Sequence, residues 1–227
     1  MVRTLLRVAV VLAALSVGLA LLPPAGAGAE ARPAWIQRAA LALPFSGTGY
    51  VTQGWGGAPT HSGNQRYSLD FVTVNRWGWA YARSGRDLTD YYTWGIPVLA
   101  PAEGVVVGLE NGVRDNPIDK PNRDDPWGNY VLIEHGSGEF SLIAHFRQGS
   151  LTVRPGQRVQ KGQRLGLAGN SGLSFKPHIH YQLQGSADLD AMTLPAVFES
   201  YYELTWFRRT LKTSQTPPEG AYVRSAR

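Results

Sequence analysis

Residues 172–183 read GLSFKPHIHYQL and predict a strand that presents two histidines on one face. Side chains at positions i and i+2 of a strand point to the same side, so His178 and His180 project together. Ile179 and Tyr181 then face the opposite way. Paired imidazoles on one strand face suit a metal ion or acid–base chemistry. A solvated polar face is the alternative, and the other histidines of the chain decide between the two.

The rest of the chain shows a similar alternation of strands and turns. Short apolar or alternating runs are separated by Gly, Pro and Asn, which is typical of antiparallel β structure. The predicted strands are 67–74, 97–99, 104–110, 130–134, 140–145, 164–168 and 178–183. Their spacing argues against a parallel sheet, which needs longer helical crossovers. The sequence therefore predicts a mainly β fold: a compact antiparallel β-sheet domain with an open active-site groove, long loops and few helices.

Two stretches interrupt the strands. Residues 75–94 carry six aromatic side chains without a clean period: Trp77, Trp79, Tyr81, Tyr91, Tyr92 and Trp94. This cluster either lines a groove that grips an extended substrate or covers the sheet as a small additional core. Residues 111–127 are rich in Asn, Asp, Pro and Lys and predict a long exposed loop. Long loops on a small scaffold often carry function.

The N-terminus has the features of an export signal. Arg3 and Arg7 precede an apolar run over 8–22, and small residues follow, so residues 1–27 are predicted to be a secretory signal peptide. A retained N-terminal anchor is the alternative, although the run is shorter than the about 20 residues of a spanning helix. With no cysteine, the chain has neither a disulfide nor a lipidated cysteine. We expect a bacterial protein that is extracellular or in the cell envelope, with no stable membrane insertion after signal cleavage.

The charge of the chain suits an anionic cell wall but not a specific nucleic-acid interface. The formal net charge is +5, and removal of Arg3 and Arg7 with the signal lowers it to +3. Lysines and arginines are scattered rather than aligned, so we expect no nucleic-acid partner. A small basic cluster at Arg208, Arg209 and Lys212 is interpreted as part of a solvated C-terminal region.

The chain has five histidines, and four of them accompany strong local patterns. His61 is followed by Gly63 and, nine residues on, by Asp70. His145 closes a predicted strand, and His178 and His180 form the pair described above. His135, in a predicted hairpin, is interpreted as structural or solvent-facing. Further patterned segments are GIPVLAPAEGVV at 95–106, GNYVLIEHG at 128–136, AHF at 144–146, VRPGQRVQKGQ at 153–163 and GLAGNSG at 166–172.

In this order, these segments resemble the lysostaphin/LytM-type zinc metallopeptidases, enzymes that cut peptide bonds in bacterial peptidoglycan. The resemblance covers roughly residues 48–185 and is most specific in its last block. It implies that His61, Asp70 and His180 ligate one zinc ion and that His145 and His178 flank the open position. Three protein ligands and a water are typical of a catalytic zinc site. The metal lowers the pKa of its water, and the two flanking histidines could take a proton or stabilise an oxyanion.

One departure from the family concerns the first motif. Many members place the aspartate four residues after the first histidine, whereas Asp70 follows His61 by nine. The ligand is kept, but the rim of the site must differ. The sequence predicts a signal peptide at 1–27, a linker or N-terminal segment at 28–45, a LytM-type metallopeptidase domain at 46–213 and a flexible C-terminal tail at 214–227.

The predicted function is a secreted zinc-dependent endopeptidase that hydrolyses peptide bonds of peptidoglycan through a metal-activated water, and we expect a monomer. A non-catalytic module that binds the cell wall or regulates other hydrolases on the same fold is the alternative. Such relatives lose ligands or catalytic histidines, and this chain keeps all of them. A cupin also presents His-x-His on a strand, but Gln184 and Gly185 stand where its glutamate ligand is required.

Overall fold

The computed structural model describes residues 35–226, so the predicted signal peptide at 1–27 lies outside the described residues. From Gln37 onward the chain forms one compact unit. Among the described residues, no helix is long and apolar enough to cross a membrane.

The described part of the chain is built almost entirely of strands. In chain order they are β1 (Thr48–Gln53), β2 (Leu69–Thr73), β3 (Pro97–Leu99), β4 (Gly104–Glu110), β5 (Asn129–Glu134), β6 (Phe140–Phe146), β7 (Arg158–Val159), β8 (Arg164–Leu167), β9 (Ile179–Gln184), β10 (Thr193–Leu194), β11 (Phe198–Leu204), β12 (Arg209–Gln215) and β13 (Tyr222–Ser225). Two short 3-10 turns, Gly63–Gln65 and Leu88–Asp90, are the helical elements of residues 35–226. The mainly β prediction is confirmed, and each predicted strand lies within about two residues of an observed one.

Most strands join one large antiparallel sheet, and its order places the histidines. The order is β12-β11-β13-β1-β2-β9-β6-β5-β4-β7, with β10 paired to β9, while β3 and β8 form a separate pair. Strand β9 therefore lies between β2 and β6. In register, His180 is opposite Asp70 on one side and Ala144 on the other. Residues that are far apart in the chain thus meet on one face at the centre of the sheet.

Strand β9 is buried on both faces. Ile179, Tyr181 and Leu183 enter the apolar core, where the Tyr181 ring lies 5.5 Å from that of Phe198. On the other face, polar side chains alternate with them, and each is hydrogen-bonded rather than solvated. This central strand fixes both the core and the polar site.

Part of the predicted linker or N-terminal segment at 28–45 packs against the sheet. Leu41, Leu43 and Phe45 are fully buried at alternating positions, and Leu41 forms a parallel bridge with Phe198. Glu139 accepts hydrogen bonds from two backbone amides of the segment, those of residues 38 and 39. The segment is therefore part of the core, because its alternate apolar side chains have a face of the sheet to cover.

The predicted C-terminal tail at 214–227 contains β13, which pairs with β1 on one side and β11 on the other. Val223 has 0% of its surface exposed, so a strand near the C-terminus contributes to the core. Four residues with one apolar position in the middle give a weak strand pattern, and only the long-range pairing stabilises them.

We expect Val223→Ala to lower the free energy of unfolding by about 2 kcal/mol, from lost methyl burial and the cavity that remains. Urea unfolding followed by circular dichroism measures the change. Arg224→Ala, on the exposed face of the same strand, is the control and should change stability by less than about 0.5 kcal/mol. Equal effects of the two substitutions would contradict the placement of β13 in the core.

Candidate metal centre and groove

Three ligand-type side chains converge at the centre of the sheet. One ligand atom each from His61, Asp70 and His180 lies within 4.8 Å of the others. Asp70 Oδ1 is 3.3 Å from His61 Nε2 and 2.9 Å from His180 Nδ1. Asp70 lies on β2 and His180 on β9, whereas His61 lies in the loop between β1 and β2. These residues therefore form a group that could hold a metal ion.

The ring of His61 is oriented with one nitrogen toward this group. Its Nδ1–H donates to the carbonyl of Gly54 at 2.9 Å, which fixes the tautomer with a lone pair on Nε2. That Nε2 is buried and has no hydrogen-bond partner among residues 35–226. A buried nitrogen lone pair without a partner costs free energy unless a cation binds it.

The ring of His180 also directs a nitrogen lone pair toward this group. Gln184 donates from Nε2 to loop carbonyls, and its Oε1 accepts from Gln182 Nε2 at 2.7 Å. Gln182 must therefore present its Oε1 to His180 Nε2, 3.0 Å away, which donates. In the neutral ring, Nδ1 then has a lone pair directed at the Asp70 carboxylate. Two acceptors at this distance require a proton or a metal ion between them, so the group fits a metal.

The charges of the group reinforce each other. Burial raises the pKa of Asp70, but His178, His180 and His61 outweigh burial and hold this pKa well below its usual value. Burial lowers the pKa of His61, yet the Asp70 carboxylate and the Gly54 carbonyl outweigh it and raise the pKa above 6.5. A carboxylate that stays ionised beside two imidazoles is a suitable donor set for Zn²⁺.

We expect Zn²⁺ affinity to fall as the pH is lowered, by up to about tenfold per pH unit for each displaced proton. His61 must lose its proton to bind a metal, and its raised pKa means that proton competition begins above pH 6.5. Asp70 stays ionised over this range because its pKa is lowered. Competition titration with a chromogenic chelator between about pH 8 and 5.5 measures the effect. A constant affinity over that interval would contradict the assigned group.

His145 reaches the same place through a distortion of β6. The ladder pairs Asn129 with Phe146 and Tyr130 with Ala144, so His145 is the extra residue of a β-bulge. Its φ is 66°, the left-handed region that costs a histidine free energy. Regular alternation would send its side chain to the face opposite Ala144. The bulge turns the His145 ring to the same face as the metal-binding group. The centroids of the His145 and His180 rings are 5.8 Å apart.

Two buried side chains hold this bulge. Asn129 Nδ2 and Ser171 Oγ both donate to the carbonyl of Phe146, at 2.9 and 2.8 Å. His145 Nδ1–H donates to the carbonyl of Ser171 at 2.8 Å, which leaves Nε2 unprotonated in the neutral ring. The sequence motifs contain Ser171 and Asn129 but assign neither of them a role. Their position next to Gly172 and Gly128 was the available signal, because a Cβ at Gly128 would lie 2.5 Å from the Ser171 carbonyl carbon.

His178 lies just before β9 and is held in a similar way. Its Nδ1–H donates to the carbonyl of Lys176 at 2.9 Å, and Nε2 lies 3.7 Å from Asp70 Oδ1. Its ring centroid is 4.7 Å from that of His145. Burial, together with the charges of His178 and His180, holds the pKa of His145 well below 6.5, so this ring is neutral near pH 7. Two imidazoles whose Nε2 atoms can accept a proton therefore adjoin the group.

Four of the five predicted residues, Asp70, His145, His178 and His180, line a groove of about 320 Å³. Trp127, from the predicted loop at 111–127, forms part of its wall and packs its ring 5.5 Å from that of His180. From the aromatic stretch at 75–94, Tyr91 and Ala80 line the groove, whereas Trp77 lines a separate cleft. The aromatic residues of this stretch therefore contribute to different surfaces and do not form a single groove wall.

His135 lies apart from the group, as expected. Its Nδ1–H donates to the carbonyl of Glu103 at 2.7 Å, and its Nε2 accepts from Ser141 Oγ at 2.8 Å. Both nitrogens are used in packing the turn between β5 and β6, so this histidine has a structural position.

Part of this chain is similar to known proteins. Residues 85–190 match the model of Peptidase family M23, a range that includes His145, His178 and His180 but neither His61 nor Asp70. A 90-residue stretch is 38% identical to peptidoglycan DD-endopeptidase ShyA of Vibrio cholerae, over 39% of this chain and 17% of that protein. A 107-residue stretch is 28% identical to the murein hydrolase activator EnvC of Escherichia coli, over 46% of this chain and 24% of that protein.

The chain thus spans less than a quarter of the length of these two relatives. Among solved structures, lysostaphin from Staphylococcus simulans is similar with a TM-score of 0.44 and 20% identity, over 66% of this chain and 50% of that one. The family match confirms the resemblance found in the sequence motifs.

Proposed function

Because residues 85–190 match the model of Peptidase family M23, we propose that this protein is an exported, zinc-dependent endopeptidase that hydrolyses peptide bonds of bacterial peptidoglycan. The observation that carries the proposal is the meeting of His61, Asp70 and His180 at one point. Asp70 and His180 line an open groove there together with two further imidazoles, those of His145 and His178. A relative named as a peptidoglycan DD-endopeptidase supports the substrate class.

In this proposal, His61, Asp70 and His180 hold the metal through Nε2, Oδ1 and Nδ1. Zinc, when bound, supplies Lewis acidity and lowers the pKa of a bound water. Gly54 and Gln182 orient the two ligand rings by accepting their other N–H groups. Such partners hold a ligand in its binding tautomer and raise metal affinity.

His145 and His178 supply the acid–base chemistry. Each has its Nδ1–H bound to a backbone carbonyl, so each offers Nε2 as a proton acceptor and, once protonated, as a donor. His145 is neutral near pH 7 because its pKa is lowered, which keeps it ready to accept a proton. Once the two rings are protonated, their Nε2–H groups can donate to an oxyanion and stabilise it.

A non-catalytic regulator of other wall hydrolases is the competing function, because one relative is named as a murein hydrolase activator. The complete set of ligand and acid–base residues supports the enzyme instead. The predicted signal at 1–27 supports export, which brings the groove to the cell wall.

The test is digestion of purified peptidoglycan of known cross-link chemistry by the purified protein, with fragments identified by mass spectrometry. We expect new amino and carboxyl termini at a cross-link or stem peptide, their loss with 1,10-phenanthroline and their return with added Zn²⁺. No fragments with stoichiometric zinc would overturn the enzymatic proposal. Stimulation of a second wall hydrolase by the same preparation would then identify the regulator.

A further inference from the structure

The turn between β11 and β12 exposes two large aromatic side chains. Thr205 N donates to the carbonyl of Arg208 at 2.8 Å, so Trp206 and Phe207 occupy the two central positions of a tight turn. Their side chains are 85% and 100% exposed. Gly, Asn and Asp are the usual residues of two-residue hairpin turns. The fold gains no burial from these rings, so they point to an external contact.

Trp206 forms one wall of a second concave surface, the aromatic cleft, with a volume of about 290 Å³. The cleft combines three aromatic rings with polar side chains and is lined by Thr48, Asn75, Arg76, Trp77, Gly78, Leu204, Thr205, Trp206 and Tyr222. Trp77 is 59% and Tyr222 36% exposed, so apolar ring surface faces solvent. Aromatic walls with a few polar groups are typical of small-ligand sites.

The cleft is already ordered. The Arg76 guanidinium lies 3.9 Å from the centroid of the Trp77 ring and covers one face of it. Asn75 Oδ1 accepts from the backbone amides of Trp77 and Trp79 at 2.9 and 3.0 Å, which fixes the turn that carries Trp77. An ordered site loses less conformational entropy when it binds.

The cleft and the metal groove share two segments. Strand β2 and the loop after it line the groove with Val72 and Ala80, and residues 75–78 between them line the cleft. Strand β1 contributes Thr48 to the cleft and Gln53 to the groove. Five strand residues separate these two positions by about 17 Å. The cleft and the groove are therefore close enough for one polymer strand to occupy both.

We propose that the aromatic cleft binds the N-acetylated sugar backbone of the polymer whose peptides enter the groove, an inference that rests on the proposed function. Pyranose rings present flat faces of C–H groups, which pack on tryptophan rings. Their hydroxyl and N-acetyl groups offer acceptors to the amide of Asn75 and the guanidinium of Arg76. The cleft thus holds the glycan strand while the attached or cross-linking peptide lies near the metal.

Anionic membrane lipid is the other ligand that exposed aromatic rings beside arginines suggest. The basic side chains of β12 are occupied by the neighbouring strand, however. The Arg209 guanidinium lies 4.2 Å from the Tyr202 ring centroid, and Lys212 Nζ lies 3.8 Å from Glu203 Oε1. Rings that line a concave surface also fit a sugar better than a bilayer, which takes up protruding rings.

The first experiment titrates the zinc-free protein with oligomers of N-acetylglucosamine and follows binding by isothermal titration calorimetry. We expect Trp206→Ala and Trp77→Ala each to weaken binding about tenfold or more. Phe207→Ala is the matched control because Phe207 shares the turn and its exposure but does not line the cleft. It should bind the oligomers as the wild type does.

The second experiment compares intact peptidoglycan with cross-linked stem peptides freed of sugar. Trp206→Ala should need about tenfold more intact peptidoglycan for half-maximal cleavage and should cleave the free peptides at the wild-type rate. If the wild type bound no oligomer, the proposal would be overturned. Equal loss of anionic-vesicle binding in the Trp206 and Phe207 variants, without loss of sugar binding, would assign the turn to membranes instead. Sugar binding without any peptide cleavage would remove the proposed function and keep the saccharide cleft.

Discussion

His180→Ala is expected to lose bound zinc and peptidase activity together while the sheet remains folded. The substitution removes Nδ1, which lies 2.9 Å from Asp70 Oδ1, and leaves His61 and Asp70 as two of the three ligand residues. Loss of a group that orients a ligand weakens metal binding by up to about 10²-fold. Loss of the ligand itself should weaken zinc binding by more than this. Gln182 Oε1 loses the His180 donor but keeps that of Ser68 Oγ at 3.2 Å, so we expect the domain to stay folded.

Zinc content by mass spectrometry, thermal unfolding by circular dichroism and cleavage of peptidoglycan measure the three parts of this expectation. His135→Ala is the matched control, since it removes a histidine whose contacts are structural. It should keep zinc and activity. Stoichiometric zinc in His180→Ala would show that the metal group is assigned wrongly.

His178→Gln is expected to keep zinc and lower turnover by about 10² or more, with little change in substrate binding. Glutamine keeps a hydrogen-bond donor but cannot exchange a proton near pH 7. The His178 ring adjoins His145 at 4.7 Å and is anchored away from the ligand position through Lys176. We expect His145→Ala to behave in the same way, because His145 approaches from β6.

Zinc content and separate kcat and KM values on cross-linked peptidoglycan at pH 7 distinguish the possible roles. A near wild-type kcat in His178→Gln would leave His178 structural and favour a binding module. Loss of zinc from His145→Ala would mean that His145 is a metal ligand and not an acid–base residue.

The sequence was sufficient for the strands that carry a clear pattern and for the five side chains that the structure brings together. It was insufficient where a residue's role depends on a partner that is distant in the chain. In the sequence, Gln182 and Gln184 are ordinary polar residues of an alternating strand. Their role in orienting His180 depends on a loop carbonyl that fixes the Gln184 amide, which in turn fixes the Gln182 amide. The His145 bulge is likewise invisible, because alternation alone assigns His145 to the opposite face. Strand β13 is short, and its pairing with β1 decides its conformation.

The pairing of β1 with β13 also sets the order in which this molecule can assemble. Thr48 is in register with Arg224, so the ladder that connects the two halves of the large sheet joins opposite ends of the domain. It can form only after residues 222–225 have left the ribosome. Contacts of such long sequence separation form slowly, because the intervening chain must first be confined. During that delay one edge of β1 and one edge of β11 are unpaired. An extended polypeptide of this kind can be threaded through a translocation pore, as the proposed export requires.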